Sequence, residues 1–146
     1  MTVGLGSDGA SSRCLSLFDQ MKFLRYGMTA YWGLPVFDPM VMPCDELLRM
    51  ITVNGARAMG RERELGTLEV GKKADVIMLN IHTPHLTPTA DLVKSIVTAA
   101  GAGDVTDSII NGTLVMKDRN VLTLDEEAIM AECIKRQKEI FLRAGI

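Results

Sequence analysis

The 146 residues are 47% hydrophobic and 23% charged, with a net charge of −2 and a pI near 5.7. Such a balance belongs to a globular chain able to bury a core; it excludes the disordered class and offers no basic field to nucleic acid or an anionic membrane. Cys14, Cys44 and Cys133 are an odd number at wide spacing with no C-x-x-C, which argues against a disulfide framework or zinc knuckle and for reduced, mostly buried thiols in a reducing compartment, the cytoplasm.

No basic segment followed by an apolar one opens the chain, so no signal peptide is expected. No apolar run is long enough to cross a bilayer either. Of the ten methionines some are read as adaptable core filler, and Met40-Val41-Met42 as packing rather than a metal-binding cluster.

Thr2 to Leu5 reads as a short strand running into Gly4-Leu5-Gly6-Ser7-Asp8-Gly9. Cys14, Leu17, Phe18, Met21, Leu24 and Met28 then recur at helical spacing, with Ser11 or Ser12 as the expected N-cap. Gly33 to Pro43 carries three prolines and reads as a loop. A second helix is expected from about Asp45 to Met59, stopped by Gly60. Leu65 to Gly71 reads as a glycine-punctuated strand pair, and Ala74 to Asn80 as an apolar strand. Pro84 to Pro88 is a loop and Asp91 to Ala100 a helix burying Leu92, Val93, Ile96, Val97 and Ala100. Asn111-Gly112 marks a tight hairpin between Ser108–Ile110 and Leu114–Met116, and Asp118-Arg119-Asn120 a further turn. A capping box at Thr123 and Glu126 opens the last helix, expected to bury Ile129, Met130, Cys133, Ile134, Ile140 and Phe141 while Glu132/Arg136 and Glu139/Arg143 pair outside.

The glycine run raises three readings. As G-x-G-x-x-G it would cradle a dinucleotide, but that needs a second parallel strand where the prolines fall, and Asp8 sets a negative charge against the pyrophosphate. As the end of a barrel strand it would present Asp8 where such folds gather their chemistry, able to complete a divalent ion's coordination and to accept a proton from activated water. As a plain helix cap Asp8 would have no chemistry, and local residues alone leave these readings open. His82 and His85 form an H-x-x-H pair on a proline loop without a nearby carboxylate or cysteine in sequence, so a structural role bonded to backbone carbonyls is expected. Ser7, Ser11 and Ser12 have no adjacent histidine to activate a nucleophile.

Several stretches together resemble one family, the amidohydrolase superfamily. They are Val3-Gly4-Leu5-Gly6-Ser7-Asp8-Gly9-Ala10-Ser11-Ser12, Asn54-Gly55-Ala56-Arg57-Ala58-Met59-Gly60, the run Leu65-Gly66-Thr67-Leu68-Glu69-Val70-Gly71-Lys72-Lys73-Ala74-Asp75-Val76-Ile77-Met78-Leu79, Pro84-His85-Leu86-Thr87-Pro88 and Ile109-Ile110-Asn111-Gly112. The resemblance covers nearly the whole chain and points to the branch holding S-adenosylhomocysteine/methylthioadenosine, guanine and cytosine deaminases and triazine chlorohydrolases. It implies an α/β fold: residues 1–60 as the last strand and helices of a (β/α)8 barrel, 61–122 as part of a small β-sandwich, and 123–146 as a terminal helix. It also implies that Asp8 is the catalytic, metal-binding carboxylate, that the cofactor is a divalent metal (zinc or iron), and that the substrate is a small nitrogen heterocycle. Arg13 departs from the small amide common after the serine pair.

The H-x-H pair and further histidines used by that family are absent from these 146 residues, which hold only two histidines. The expectation is therefore the C-terminal third of such an enzyme, inactive by itself, with uncovered strand edges favouring a homo-oligomer. The alternative is a non-catalytic interaction module derived from the same family.

Overall fold

The computed structural model describes residues 1–9, 14–34 and 40–146. Ser11, Ser12 and Arg13 lie outside them, as do Pro35 and Pro39 of the expected loop.

The first helix, α1 (Leu17–Met28), is capped by Ser16, whose hydroxyl accepts the Asp19 N–H at 3.4 Å, so the cap falls past Ser11 and Ser12. It runs on into a wider turn at Thr29–Gly33. The expected single helix from Asp45 to Met59 is two, α2 (Cys44–Met50) and α3 (Val53–Ala58). Three β-branched residues, Ile51, Thr52 and Val53, meet at the break, where side chains crowd the preceding turn. Thr52 adopts φ −123°, ψ −97°, and its hydroxyl bonds back to the Leu48 carbonyl at 2.8 Å. Gly60 follows α3 as expected, and the Arg61 N–H returns to the Ala56 carbonyl at 2.8 Å.

Next come β1 (Val76–Leu79), α4 (Leu92–Thr98, capped by Asp91), a short turn at Ala102–Asp104, β2 (Val105–Ile110), β3 (Thr113–Lys117) and β4 (Asn120–Val121). The strands form one antiparallel sheet in chain order, with Val76 opposite Ile109 and Ile110 opposite Thr113. Asn111 and Gly112 both have positive φ, the conformation a two-residue hairpin needs, as the sequence predicts. Asp118 and Arg119 make the same kind of turn. There the Arg119 guanidinium reaches the carbonyls of Gly103 and Val105, tying the turn to the start of β2.

Two expected β segments, one strand and one strand pair, are not formed. Thr2–Leu5 has no ladder among the described residues; its Leu5 N–H donates to the Met50 carbonyl at 3.1 Å, where α2 stops. Leu65–Gly71 is a chain of turns, because Gly66 and Gly71 both take positive φ, which breaks the extended conformation.

The core lies between α1, α2 and α4: Phe18 and Met21, Leu47 and Met50, Val97 and Ala100, closed over by Leu86 of the proline loop. Met42 packs at its edge, whereas Met40 is exposed. On α4, Leu92 is half-exposed and lies outside the core. The last helix, α5 (Glu126–Ala144), departs most from expectation. Asp125, a cap as strong as threonine, takes the N-terminus by accepting the Ala128 N–H at 2.9 Å, displacing the box at Thr123. None of its residues is buried, since no described element packs over its apolar side. Glu132 and Arg136 pair at 2.7 Å as predicted, while Glu139 is reached by Arg136 at 3.8 Å.

Candidate functional site

Asp8 sits on a segment fixed from below. Gly4 faces Gly55 of α3 so closely that a Cβ on Gly4 would lie 3.2 Å from the Gly55 Cα. With Leu5 held by Met50, the chain leaves this anchor through Gly6, around which there is open space, and reaches Asp8. Asp8 and Gly9 both have φ +50°. A non-glycine residue in the left-handed region costs energy, which Asp tolerates better than most. The Asp8 side chain is exposed. This is a presented carboxylate on an anchored turn, with the glycines giving clearance.

The geometry speaks against the dinucleotide reading, because α1 begins only at Leu17, too far on to set its N-terminus against a phosphate held by Gly4–Gly9.

The histidines are placed differently from expectation. His85 Nε2 lies 3.0 Å from Asp104 Oδ2, so its partner is a carboxylate and not a backbone carbonyl. Asp104 stands 19 residues along the chain, which is why the local sequence showed no acid beside the pair. Its buried side chain also accepts the Gly101 N–H at 2.8 Å, and the Asp104 carbonyl accepts the Asn80 N–H at 2.8 Å. The bond from His85, then that from Gly101, hold the Asp104 carboxyl below the usual carboxylate range. At His82 the backbone N–H donates to the Asn80 side chain at 3.0 Å. Among the described residues, no three histidine, cysteine, aspartate or glutamate side chains come together as a metal-holding group.

The Gly71-Lys72-Lys73-Ala74-Asp75 run is a fastening. The half-buried Lys72 ammonium donates to the Glu62 carbonyl at 2.9 Å and to Thr67 Oγ1, and lies 3.6 Å from Glu69. Lys73 donates its N–H to the Glu64 carbonyl and pairs with that carboxylate at 3.2 Å. Arg61 meets Glu64 at 2.8 Å, and these two cations, Arg61 first, lower the Glu64 carboxyl. Asp75 accepts the Asn111 N–H at 2.6 Å. Sequence reading missed the Asp104–His85 pair and the Asp75–Asn111 tie. The only signal for the second was that both motifs occur in one chain.

Residues 1–115 match the model of the amidohydrolase family, and the chain belongs to that family. It is 43% identical to a 5-methylthioadenosine/S-adenosylhomocysteine deaminase of Moorella thermoacetica over 136 residues, 93% of this chain and 31% of that protein. Its mixed helix-and-sheet fold superposes on an adenosine deaminase from Xanthomonas campestris with bound zinc, at a TM-score of 0.87 and 27% identity, over 96% of this chain and 31% of that one. An atrazine chlorohydrolase from Arthrobacter aurescens, complexed with zinc, aligns at a TM-score of 0.76 and 25% identity, over 90% and 29% of the two chains. The chain spans about a third of the length of the curated relatives it matches. No described helix is long and apolar enough to cross a membrane.

Proposed function

We propose that this chain supplies the Asp8-bearing part of a hydrolase that removes the amino group of an adenine-type nucleoside, or an equivalent leaving group from a related nitrogen heterocycle. The observation that carries the proposal is Asp8 itself, an exposed carboxylate in a left-handed turn anchored on α3, within the family match. Asp8 takes a proton from the water adding to the ring carbon and returns it to the departing nitrogen, so that ammonia leaves and a ring carbonyl remains. The substrate class rests on what the relatives are named for.

The residues present do not hold a metal unaided. A zinc site takes about three protein ligands, and Asp8 joins no group of three donors among the described residues. The 146 residues alone are accordingly proposed to be inactive, with Asp8 lending its carboxylate to a zinc or iron site that needs ligands from outside them. In the same reading residues 1–60 belong to the end of a (β/α)8 barrel, 61–122 to a β-sandwich and 123–146 to a terminal helix. A cytoplasmic setting is supported by the free cysteines Cys14, Cys44 and Cys133.

The test replaces the corresponding third of the Moorella relative with this chain and follows ammonia release from 5-methylthioadenosine. Asp8→Asn in that chimaera is expected to lower kcat about 10³-fold without loss of folding, because Asn also tolerates the left-handed turn. Full activity of Asp8→Asn, or turnover by the isolated 146-residue chain, would overturn the reading.

A second reading has its own support. The sheet leaves β1 and β4 as edges among the described residues, and α5 exposes an apolar side, both of which favour self-association.

A further inference from the structure

Taking the role proposed for Asp8, we infer that Asn54 is a positioning residue for that carboxylate, acting through its hydrogen bond to Glu46. The residues α3 buries are Asn54 and Ala56, so the largest side chain it sets inside is an amide. Asn54 is 8% exposed, and its Nδ2 donates to Glu46 Oε1 at 2.9 Å. A buried amide costs stability unless it is bonded, and asparagine is a poor helix former. Packing alone would favour an aliphatic side chain there; what asparagine adds is a directed tie.

The tie spans a break. Glu46 stands in the first turn of α2 and Asn54 in the first turn of α3, so the bond links the two helices across Ile51 and Thr52. The segment leading to Asp8 rests on both helices at once. Its Leu5 N–H donates to the Met50 carbonyl, where α2 ends, and Gly4 lies against Gly55, the residue after Asn54. A Cβ on Gly4 would be 3.2 Å from the Gly55 Cα and 3.7 Å from the Met50 oxygen, so α3 has little room to shift against α2 without moving Gly4 or stretching the Leu5 bond. Asp8 follows soon after Leu5 along the chain. Asn54 therefore acts on the carboxylate through the seat that both helices form.

Two measurements test this. In the full chain, amide exchange at Leu5 is expected to quicken about tenfold in Asn54→Asp, which keeps the shape of the side chain and loses the donor. It should stay unchanged in Glu46→Gln, which keeps an acceptor. Exchange at Leu5 that ignores Asn54→Asp overturns the inference. In the Moorella chimaera, Asn54→Asp and Glu46→Ala are expected to lower kcat about tenfold with KM little changed, as a small displacement of a reacting group would, while Glu46→Gln retains activity. Glu46 is half-exposed, so Glu46→Ala keeps the test open if Asn54→Asp does not fold. Added to Asp8→Asn, Asn54→Asp should cause no further loss, since it works through that carboxylate. A merely structural residue would lower the melting temperature and leave the kcat of the folded enzyme as it was; that result, or a full further loss on top of Asp8→Asn, overturns the inference while leaving the role of Asp8 standing. Full activity of Asp8→Asn overturns both.

Discussion

Asp75 and Asn111 are 36 residues apart, yet the Asp75 carboxylate accepts the Asn111 N–H at 2.6 Å. The neighbouring Gly112 N–H donates to the Ala74 carbonyl at 2.9 Å, so the entry to β1 is fastened to the β2–β3 turn. This fixes the β1–β2 register, where a slip of one residue would exchange the two faces of the strand. Asp75→Ala is expected to cost about 1 kcal/mol, the usual worth of one such bond at an exposed site. Urea denaturation gives the loss, and amide exchange at Asn111 should quicken; unchanged exchange would refute the fastening.

Gly66 and Gly71 have almost the same backbone, φ +95° and +92°, but different surroundings. A Cβ on Gly66 would sit 2.9 Å from the Ala56 Cβ and 3.0 Å from the Val53 Cα, whereas Gly71 faces open space. Gly71→Ala should therefore lose only the conformational penalty, about 1 kcal/mol. Gly66→Ala adds overpacking against α3, for a total of about 2–4 kcal/mol. Equal losses in the two variants would mean that the contact with α3 is not tight.

The Asp104–His85 pair gives a pH signature. The Asp104 carboxyl lies below its ordinary value in the folded state, so its contribution is complete well above the unfolded carboxylate value of about 3.9 and fades as pH falls through the folded value. The Asp104 contribution to the stability difference between the protein and Asp104→Asn should be full above the unfolded carboxylate value of about 3.9 and shrink as pH falls below it. A difference that grows as pH falls below about 4 would contradict this sign. Chemical denaturation at a series of pH values decides it.

Local chemistry was the legible part of the sequence. Asn111-Gly112, Asp91 with the helix after it, Gly60 and the apolar run at Val76 each carry their own instruction, and each appears in the structure. Partnership was not legible. Thr2–Leu5 has strand-like residues, but a strand needs a ladder, and nothing local says whether one is present. The stripe on α5 is correctly apolar, yet burial depends on what lies over it. The Asp104–His85 pair is set by a fold that brings the Ala102–Asp104 turn under the proline loop. For the candidate site, local residues left the role of Asp8 open and the family resemblance singled it out; the left-handed turn that presents it emerges only in three dimensions.

The crossing of Gly4 and Gly55 has a consequence for evolution of the site. Any side chain introduced at Gly4 must push against backbone, since its Cβ would meet the Gly55 Cα at 3.2 Å and no flexible neighbour can give way. That push would travel along four residues to Asp8, and in the role proposed for Asp8 a displacement of about 1 Å would be costly to turnover. The position of the carboxylate is thus inherited from the short helix α3. Under the role proposed for Asp8, changes in that helix are a route by which activity could be retuned or lost while Asp8 stays the same.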